Sequence, residues 1–352
     1  MNAYVHPAKP LLDHAMQPMR AMFTDPTTQE VALNRPGEVW WRRSRGWDRS
    51  EMPDLDFEAL EAIAMLAGAM RSQDVTWQKP LLSTEMPGPG GELLRLQVCM
   101  PPVVPGGTIS LTWRRPGSDV DPLDDLPQNY DVRAWNQWGK DKAVKRGFAE
   151  RLLVLYDAGD AVGFLREAMR VRMNIWLCAA TGGGKTHLFK SLMGAVSKDK
   201  RVVTVEDSLE LQLPQENVVR LLYQHGGSGA TAEDLIVAAL RMRPDLVPVQ
   251  EIRTGEAAWV YFNAVNTGHP GSPTTIHGNT PAMAFRRAFT LCKTTPGGGL
   301  IGDETLGNMI GDAVDIIIPL RNDDGGFSIR EVWFKDAALR DGKTPLSLLT
   351  DA

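Results

Sequence analysis

A glycine-rich segment that ends in lysine and threonine, AATGGGKTH at residues 179–187, has the residue types needed to bind phosphate. Its consecutive glycines let the backbone curve around an anion and point N–H groups inward. Lys185 would reach the β- and γ-phosphates of a nucleotide, and the Thr186 hydroxyl would bind Mg²⁺. The segment therefore predicts a phosphate-binding set that comprises Thr181, Gly182, Gly183, Gly184, Lys185, Thr186 and His187.

The sequence on either side of this loop supports a working site. An apolar run at 175–179 predicts a strand that enters the loop, and LFKSLMGAV predicts a helix whose N-terminal dipole favours an anion. Ala179 stands where the pattern G-x-x-x-x-G-K-[ST] has its first glycine. Because that glycine eases a turn and offers no side-chain chemistry, alanine costs backbone freedom and removes no ligand. The alternative, an incidental glycine-rich turn, does not account for the flanking strand and helix.

Two acidic segments follow predicted strands. VVTVEDSLELQL places Glu206, Asp207 and Glu210 after an apolar run, and LVPVQEIR places Glu251 at the end of another. Carboxylates at the carboxyl ends of parallel strands can bind Mg²⁺ or polarise an attacking water. We therefore predict that Thr186, Glu206 and Glu210 hold Mg²⁺ and that Glu251 is the second acidic site of a nucleotide hydrolase. Either Glu251 or Glu210 would activate the attacking water. A solvated acidic turn is the alternative for the first segment.

Two histidines lie eight residues apart in the polar segment NTGHPGSPTTIHGNT, at His269 and His277. This spacing does not place two ligands on one helical face, and no third ligand is near in sequence, so a zinc site is disfavoured. We expect a histidine here to sense the γ-phosphate or to bridge to a neighbouring chain, and His277, which follows the strand-like TTI, is the stronger candidate. A structural histidine in a polar loop is the alternative for both.

Alternating strands and helices would position these side chains. Apolar runs predict strands, and helical patterns behind Thr or Asp caps predict the helices between them. This alternation favours a mainly parallel sheet with helices on both faces. The predicted strands are 174–179, 201–206, 218–222, 246–250 and 316–318, and the predicted helices are 160–171, 231–242, 254–266 and one that begins at 280.

The first part of the chain has a different pattern. A helix is predicted at 57–70, and Pro and Gly clusters bound two short strands at 93–100 and 108–114. The fold class is therefore α/β, with a smaller N-terminal α+β domain. The predicted boundaries are 1–145 for that domain, with an irregular start at about 1–25, a linker at about 135–155, and 156–352 for the nucleotide-binding domain.

The composition restricts the class of protein. With 352 residues, 43% hydrophobic content and a net charge of −5, the chain is typical of a soluble protein rather than one that coats nucleic acid or an anionic membrane. Three widely spaced cysteines suit a reducing cytoplasm and predict neither a disulfide framework nor a zinc site. We expect no signal peptide and no transmembrane helix, so membrane association would be peripheral.

One segment is rich in both arginine and tryptophan. RPGEVWWRRSRGWDR, residues 35–49, reads as a strand with inward Trp and outward Arg. Interleaved rings and guanidinium groups could also meet lipid headgroups or stack on bases. The second interpretation would suit a motor that contacts DNA.

Four segments in chain order resemble the motifs of one family. AATGGGKT, VEDSLEL, RMRPD…QEIR and TGHPGSPTTIHGNTP are similar to the Walker A, Asp box, Walker B and His box of the type II/type IV secretion ATPase superfamily. The chain looks most like the hexameric traffic ATPases of bacterial type IV secretion and conjugation systems. The four-cysteine module of other branches is absent from the sequence, and the likeness covers about residues 30–340.

The resemblance implies a C-terminal RecA-like P-loop ATPase domain and a homo-hexameric ring that holds ATP and Mg²⁺ between its domains. It gives Lys185 and Thr186 the phosphate and Mg²⁺ roles, Glu210 the Asp-box role, and Glu251 and His277 the roles of the Walker B glutamate and His-box histidine. Arginines of the N-terminal domain approach the phosphates in this family. The matching candidates are Arg95, Arg114 and Arg115.

The resemblance also implies a function and its partners. We expect an ATP-hydrolysing motor that energises pilus assembly or substrate export, located in the cytoplasm against the membrane, where inner-membrane channel and coupling proteins contact it. A DNA-translocating motor and a nucleotide-gated scaffold with weak hydrolysis are the alternatives, and direct nucleic-acid binding stays open. The scaffold hypothesis rests on four departures from the family pattern, which could reduce hydrolysis: Ala179, Pro248, Gln250 and Pro273.

Overall fold

The chain folds into an N-terminal unit and a C-terminal unit, each built on its own sheet. The structure is a computed structural model that describes residues 6–89, 91–116, 122, 124, 142–180, 182–224, 229–266, 268–323, 326–329 and 331–350. No helix within these ranges is long and apolar enough to cross a membrane.

The N-terminal unit contains a six-stranded antiparallel sheet in the order β3-β2-β1-β6-β5-β4. Its strands are β1 (Glu30–Leu33), β2 (Glu38–Arg43), β3 (Gly46–Glu51), β4 (Leu81–Pro87), β5 (Leu93–Cys99) and β6 (Ser110–Arg114). The two strands predicted at 93–100 and 108–114 are confirmed as β5 and β6, and the Arg/Trp-rich segment forms the β2–β3 hairpin. The sequence pattern gave no prediction for β1 or β4.

Three helices cover one face of this sheet: α1 (Ala8–Ala15), α2 (Arg20–Thr24) and α3 (Phe57–Ala69). The predicted helix at 57–70 is confirmed as α3, and the Asp56 carboxylate caps it by accepting the backbone N–H of Ala59. The prediction of an irregular start is wrong for residues 6–24. Leu12, Met19 and Phe23 are buried there against the sheet, because apolar side chains recur at helical spacing. Residues 1–5 lie outside the described ranges.

Most arginines of the β2–β3 hairpin form ion pairs within the chain. Arg43 contacts Asp48 at 2.6 Å, and Arg49 contacts Glu38 at 3.1 Å. Trp40 is buried and donates its indole N–H to Glu38. The strand interpretation is therefore confirmed for 38–43 and 46–49, although the segment forms a hairpin rather than one strand. The ion pairs weaken the argument that the segment favours DNA or lipid.

The C-terminal unit is built on a mainly parallel sheet. Its strands are β7 (Ile175–Cys178), β8 (Val202–Glu206), β9 (Val218–Leu222), β10 (Thr274–Ile276), β11 (Ile316–Asp323), β12 (Gly326–Ile329) and β13 (Trp333–Phe334). β7 pairs in parallel with β10 and β11, β8 pairs in parallel with β9, and β12 and β13 pair with β11 in antiparallel orientation. The predicted strand 316–318 is thus the start of a longer hairpin.

The segment 246–250 departs from its prediction as a regular strand. It joins β8 to β10 only through single bridges at Leu246 and Val249. Pro248 has no N–H to donate, although its carbonyl accepts a bond from the Val205 amide at 3.0 Å. The hydroxyl of Thr274 donates to the Val249 carbonyl at 2.9 Å, so a side chain supplies part of the missing ladder. The segment therefore stays in the sheet despite its proline.

Ten helices within the described ranges cover both faces of the C-terminal sheet. They are α4 (Lys142–Asp157), α5 (Ala161–Arg170), α6 (Lys185–Gly194), α7 (Ala232–Arg241), α8 (Gly255–Asn266), α9 (Pro281–Lys293), α10 (Pro296–Leu300), α11 (Asp303–Asp312), α12 (Lys335–Arg340) and α13 (Ser347–Thr350). Side chains of β7 alternate between the two cores, with Trp176 in one and Leu177 in the other. The predicted helices at 160–171, 231–242, 254–266 and from 280 are confirmed as α5, α7, α8 and α9.

Helix α4 occupies much of the predicted linker at 135–155. Leu152 is fully buried among side chains of the C-terminal unit, so this helix packs with the unit that follows it. Of the predicted linker, residues 135–141 lie outside the described ranges. The predicted boundaries at 145 and 156 therefore stay a prediction.

A buried arginine joins the two units. The Arg201 guanidinium, in front of β8, donates to Asn34 and Thr112 of the N-terminal sheet and to the Met242 carbonyl, at 2.8, 3.1 and 2.9 Å. Burial lowers the pKa of Arg201 to about 10, so the group stays charged at neutral pH. The Cζ atom of Arg201 lies 5.0 Å from the centroid of the Trp47 ring. The face of the N-terminal sheet that its own helices leave uncovered thus contacts the C-terminal unit through the Arg201 guanidinium, which has hydrogen-bond acceptors in both units.

We predict that Arg201→Ala lowers the free energy of unfolding by at least about 3 kcal/mol, because each buried acceptor left without a donor costs about 1–3 kcal/mol. Urea denaturation followed by tryptophan fluorescence measures the effect. Arg45→Ala, at an exposed position of the same hairpin as Trp47, is the control and should change the free energy by less than about 0.5 kcal/mol. Equal effects of the two substitutions would contradict the role of Arg201.

Candidate nucleotide-binding site

The phosphate loop connects β7 to α6 and depends on its glycines. Gly182 and Gly184 have φ angles of 78° and 83°, in the left-handed region that favours glycine. A Cβ at Gly183 would lie 2.5 Å from the Cβ of Ala179. Alanine at position 179 is therefore accommodated because residue 183 has no side chain. Thr181, which belongs to the predicted phosphate-binding set, lies outside the described residues.

Lys185 begins α6 and is held at the loop by backbone carbonyls. Its Nζ donates to the carbonyl of Ala179 at 2.9 Å and to that of Ala180 at 3.4 Å. Burial lowers the pKa of Lys185, and attraction to Glu251 opposes this shift. His187, also in the predicted set, is exposed on the first turn of α6. The lysine thus lies between the loop and the acidic groups across from it.

Thr186 and Glu210 meet as the sequence predicted. The Thr186 hydroxyl donates to Glu210 Oε2 at 3.2 Å, and Ser208 donates to Glu210 Oε1 at 3.3 Å. A hydroxyl and a carboxylate at a phosphate loop are oxygen ligands of the kind that Mg²⁺ prefers. No group of three or more His, Cys, Asp or Glu side chains in the described ranges is placed to hold a metal ion. A magnesium ion would therefore complete its shell with phosphate and water oxygens.

Glu206, the third predicted magnesium ligand, is fully buried and occupied by other partners. The Arg220 guanidinium donates to both of its oxygens, at 3.0 and 2.8 Å. The Thr204 hydroxyl and the backbone N–H of Leu211 donate to it as well, at 2.6 and 3.0 Å. This arrangement corrects the prediction, because a carboxylate with four donors has no lone pair directed at the phosphate loop. Glu206 instead fixes the turn that leads to Glu210.

Glu251 is buried and lies between two side chains, Arg253 and His277. Arg253 donates to Glu251 Oε2 at 2.9 and 2.7 Å, and His277 Nε2 lies 2.8 Å from Oε1. Arg253 also contacts Asp207 at 2.8 Å, and the bond to Glu251 raises the pKa of Arg253 in spite of its burial. Sequence analysis did not identify Arg253. The spacing E-x-R could have predicted the contact between Glu251 and Arg253, because side chains two residues apart in an extended segment point to the same side.

Gln250, one of the departures from the family pattern, has a structural role. Its side-chain oxygen accepts the backbone N–H groups of Asp207 and Ser208, at 2.9 and 3.5 Å. It therefore connects the segment that carries Glu251 to the turn that carries Glu210. Pro273 likewise fits its place, because it precedes β10, where proline does not interrupt a ladder.

The two histidines lie at opposite ends of β10. His277 follows the strand and lines a cavity of about 490 Å³ with Ala179, Ala180, Arg286 and Arg287. His269 precedes the strand, and its pKa is lowered by burial and by the nearby Arg172 and Arg243. Because β10 and β7 are parallel, only His277 shares the loop's edge of the sheet. The γ-phosphate role is thus disfavoured for His269, and Arg286 and Arg287 are additional basic groups that the sequence analysis missed.

The predicted arginines of the N-terminal unit do not lie at the loop. Arg115 donates to the carbonyls of Phe23 and Asp25 and contacts Glu92, within its own unit. Arg95 and Arg114 are cross-strand neighbours on β5 and β6. They line a different cavity, of about 680 Å³ at the boundary between the units, together with Arg71, Arg241 and Arg243. Within one chain, therefore, none of the three is placed against a phosphate at the loop.

The chain is similar to known proteins over nearly its whole length. The family model described as Type II/IV secretion system protein matches residues 156–321. The chain is 43% identical to protein VirB11 of Agrobacterium fabrum (strain C58), over 97% of this chain and 98% of that protein. The crystal structure of the VirB11 ATPase of the Brucella suis type IV secretion system matches with a TM-score of 0.84 at 32% identity, over 95% of this chain and 97% of that chain.

The chain belongs to the VirB11 family of type IV secretion ATPases.

Membership in the VirB11 family confirms the predicted family, the two-domain α/β fold class and the ATPase activity. The family model covers the phosphate loop, the acidic segments and the His277 segment. The VirB11-type chain is therefore an ATPase whose phosphate loop, Glu210, Glu251 and His277 lie at one edge of its C-terminal sheet.

We predict that Glu206→Gln destabilises the fold and leaves magnesium binding intact. Removing one partner of a buried ion pair costs about 3–5 kcal/mol, which urea denaturation would detect. The magnesium concentration that half-saturates MgADP binding should stay unchanged. Glu210→Gln is the matched variant and should show the reverse: unaltered stability and a raised magnesium requirement. A similar magnesium shift in both variants would restore Glu206 as a ligand.

Proposed function

We propose that this chain binds Mg·ATP at the loop 182–187 and hydrolyses it with Glu251 as general base. The observation that carries the proposal is a continuous set of contacts around the loop. Glu210 touches Thr186, and Arg253 connects Asp207 to Glu251, which touches His277. His277 in turn shares a cavity with Ala179 and Ala180, whose carbonyls hold Lys185. Side chains from segments distant in sequence thus lie beside one another next to the loop.

The chain's own groups suggest the order of events at the site. Lys185 exchanges its carbonyl partners for β- and γ-phosphate oxygens when ATP enters. Thr186 and Glu210 would hold Mg²⁺, which neutralises phosphate charge when bound. Glu251 accepts a proton from water as the water oxygen attacks the γ-phosphorus and ADP leaves. Arg253 and His277 contact its side chain on either side and hold it in place for this step.

We further propose that the arginines of the N-terminal unit act on a neighbouring subunit. Arg95 and Arg114 lie opposite each other on adjacent strands, and each has a carboxylate, Glu85 or Glu30, opposite it on its other side. The cavity that they line carries five arginines and one glutamate, a surplus of positive charge that favours an anionic ligand. Because they do not share a cavity with their own loop, a ring would bring them to the nucleotide of the next chain. A homo-hexamer, as the resemblance implies, meets this requirement. The VirB11 structure from Brucella suis is a complex with sulphate, an anion shaped like phosphate.

In this proposal the ring is a motor at the cytoplasmic side of a type IV secretion system. Closure of the nucleotide site would rotate the N-terminal units and transmit force to inner-membrane channel and coupling proteins. Attachment to the membrane is peripheral in this proposal. No observation on the described residues favours the DNA-translocating alternative, since the hairpin arginines that suggested it are largely paired. Gln250 and Pro248 are accommodated structurally, which weakens the argument for a scaffold.

We expect Lys185→Ala to abolish nucleotide binding, and Glu251→Gln to keep Mg·ATP binding while phosphate release falls by about 10²–10⁴-fold. The lysine supplies charge for binding, whereas the glutamate acts only on the attacking water. Phosphate release and calorimetric binding measure the two effects separately. Equal phosphate release by wild type and Lys185→Ala would reject the motor and leave the nucleotide-gated scaffold as the remaining function. Stimulation of release by single-stranded DNA would favour the translocase.

Co-expression of two inactive variants tests whether arginine acts between subunits. Arg114→Ala and Glu251→Gln should each lose activity when expressed alone, the first because a phosphate-binding arginine contributes about 10³–10⁵-fold. In mixed rings about a quarter of the sites would combine an intact Glu251 with an intact neighbouring Arg114, so activity returns. If Arg114 served its own chain, mixed rings would stay inactive.

A further inference from the structure

The hairpin formed by β11 and β12 lies directly against the phosphate loop. A Cβ at Gly184 would lie 2.7 Å from Cδ1 of Phe327, so the phenyl ring rests on the glycine that precedes Lys185. Asn322, the partner of Phe327 in the ladder, directs its amide to the Gly182 carbonyl at 3.3 Å. The ring is nevertheless 60% exposed. A large apolar side chain thus stands beside the anion site with most of its surface open to solvent.

The face of the hairpin that carries this ring continues into an apolar cavity. Phe327 and Ile329 point to the same side of β12, because they are two residues apart in a strand. Ile329 lines a cavity of about 310 Å³ with Ile318, Tyr156 and Phe164. This volume is at the lower end of the range of about 300–1,000 Å³ for small-molecule sites. The surface that leads away from the loop is therefore mainly apolar and aromatic, although Asp160 and Glu331 also line the cavity.

Charge separates this side of the loop from the other side. Glu210, Glu251, Arg253 and His277 belong to the network that would act on the phosphates and magnesium. The hairpin presents a phenyl ring, an amide and an aliphatic side chain instead. A nucleotide has the same division, with a charged end and an aromatic end.

We propose that Phe327 stacks on the base of the bound nucleotide and that the hairpin is the nucleoside-binding element of this ATPase. The inference rests on the proposed binding of Mg·ATP at the loop. With the phosphates on the N–H groups of residues 182–185, the nucleoside extends along β12, where the exposed ring offers a stacking surface. Asn322, bonded to the loop backbone, keeps the hairpin and the loop at a fixed separation.

Two ligands that share phosphates but differ in the base test this inference. Calorimetry on the full chain would compare MgADP with magnesium tripolyphosphate for wild type, Phe327→Ala and Phe327→Tyr. Loss of a base–aromatic stack should weaken MgADP binding by about 10-fold or more, since such stacks are worth about 5- to 150-fold in affinity. Tripolyphosphate affinity should change less than about twofold, and tyrosine should restore MgADP binding. Trp77→Ala, which removes a 54% exposed ring from the N-terminal unit, is the control.

The possible outcomes distinguish between different roles of the Phe327 ring. Unchanged MgADP affinity in Phe327→Ala would overturn the inference, as would an equal loss of both ligands, which would assign the ring to shaping the loop. Tighter binding of both ligands would mean that the ring obstructs the anion site. Failure of wild type to bind either ligand would refute the proposed function itself. Binding of both by wild type, with no selective loss in the variant, would refute the stacking alone.

Discussion

The parallel pairing of β7 with β10 on one side and β11 on the other is the constraint on which the site depends. Its register sets Ile276 and Pro319 both opposite Cys178, the last residue of β7. Because the three strands run in one direction, the segments that leave their carboxyl ends meet at one edge of the sheet. Those segments are the phosphate loop, the His277 segment and the β11–β12 hairpin. The same geometry sends His269 to the opposite edge, although it is only eight residues away in sequence.

Neighbouring side chains decide what each acidic residue at this edge can do. Glu206 is fully buried, and each of its oxygens accepts a hydrogen bond from the Arg220 guanidinium. It therefore fixes the turn that leads to Glu210. Glu210, exposed four residues later, shares only hydroxyl contacts with Thr186 and Ser208 and keeps lone pairs for a metal ion. Glu251 is buried, and Arg253 and His277 contact its side chain; His277 also lines the cavity beside the loop. Three similar residues thus differ in role through their neighbours.

The contact between the units combines polar and apolar groups. Cys99 of β5 and the following Val103 and Val104 pack into a core of the C-terminal unit. The N-terminal sheet turns its apolar face to its own helices and places Asn34, Thr112 and Glu30 against the C-terminal unit. Arg201 donates to Asn34 and Thr112, and Arg243 contacts Glu30. A buried arginine is stable only while its acceptors stay in place. The basic cavity beside it, with Arg95 and Arg114, opens at the boundary of the two units.

The sequence by itself determined the loop, most helices and the central strands of the C-terminal unit, because glycine content, caps and apolar periodicity are local. It also determined that Thr186 and Glu210 meet, since residues that follow neighbouring parallel strands share an edge. Only the tertiary structure decided that 246–250 stays in the sheet despite Pro248, since hydroxyls from a distant segment supply its bonds. Only the tertiary structure shows that Glu206 is bonded to Arg220, that Arg115 is bonded within its own unit, and that Phe327 lies against Gly184 of the loop. Each of these outcomes depends on a partner far away in the chain, and no local pattern encodes which partner that is.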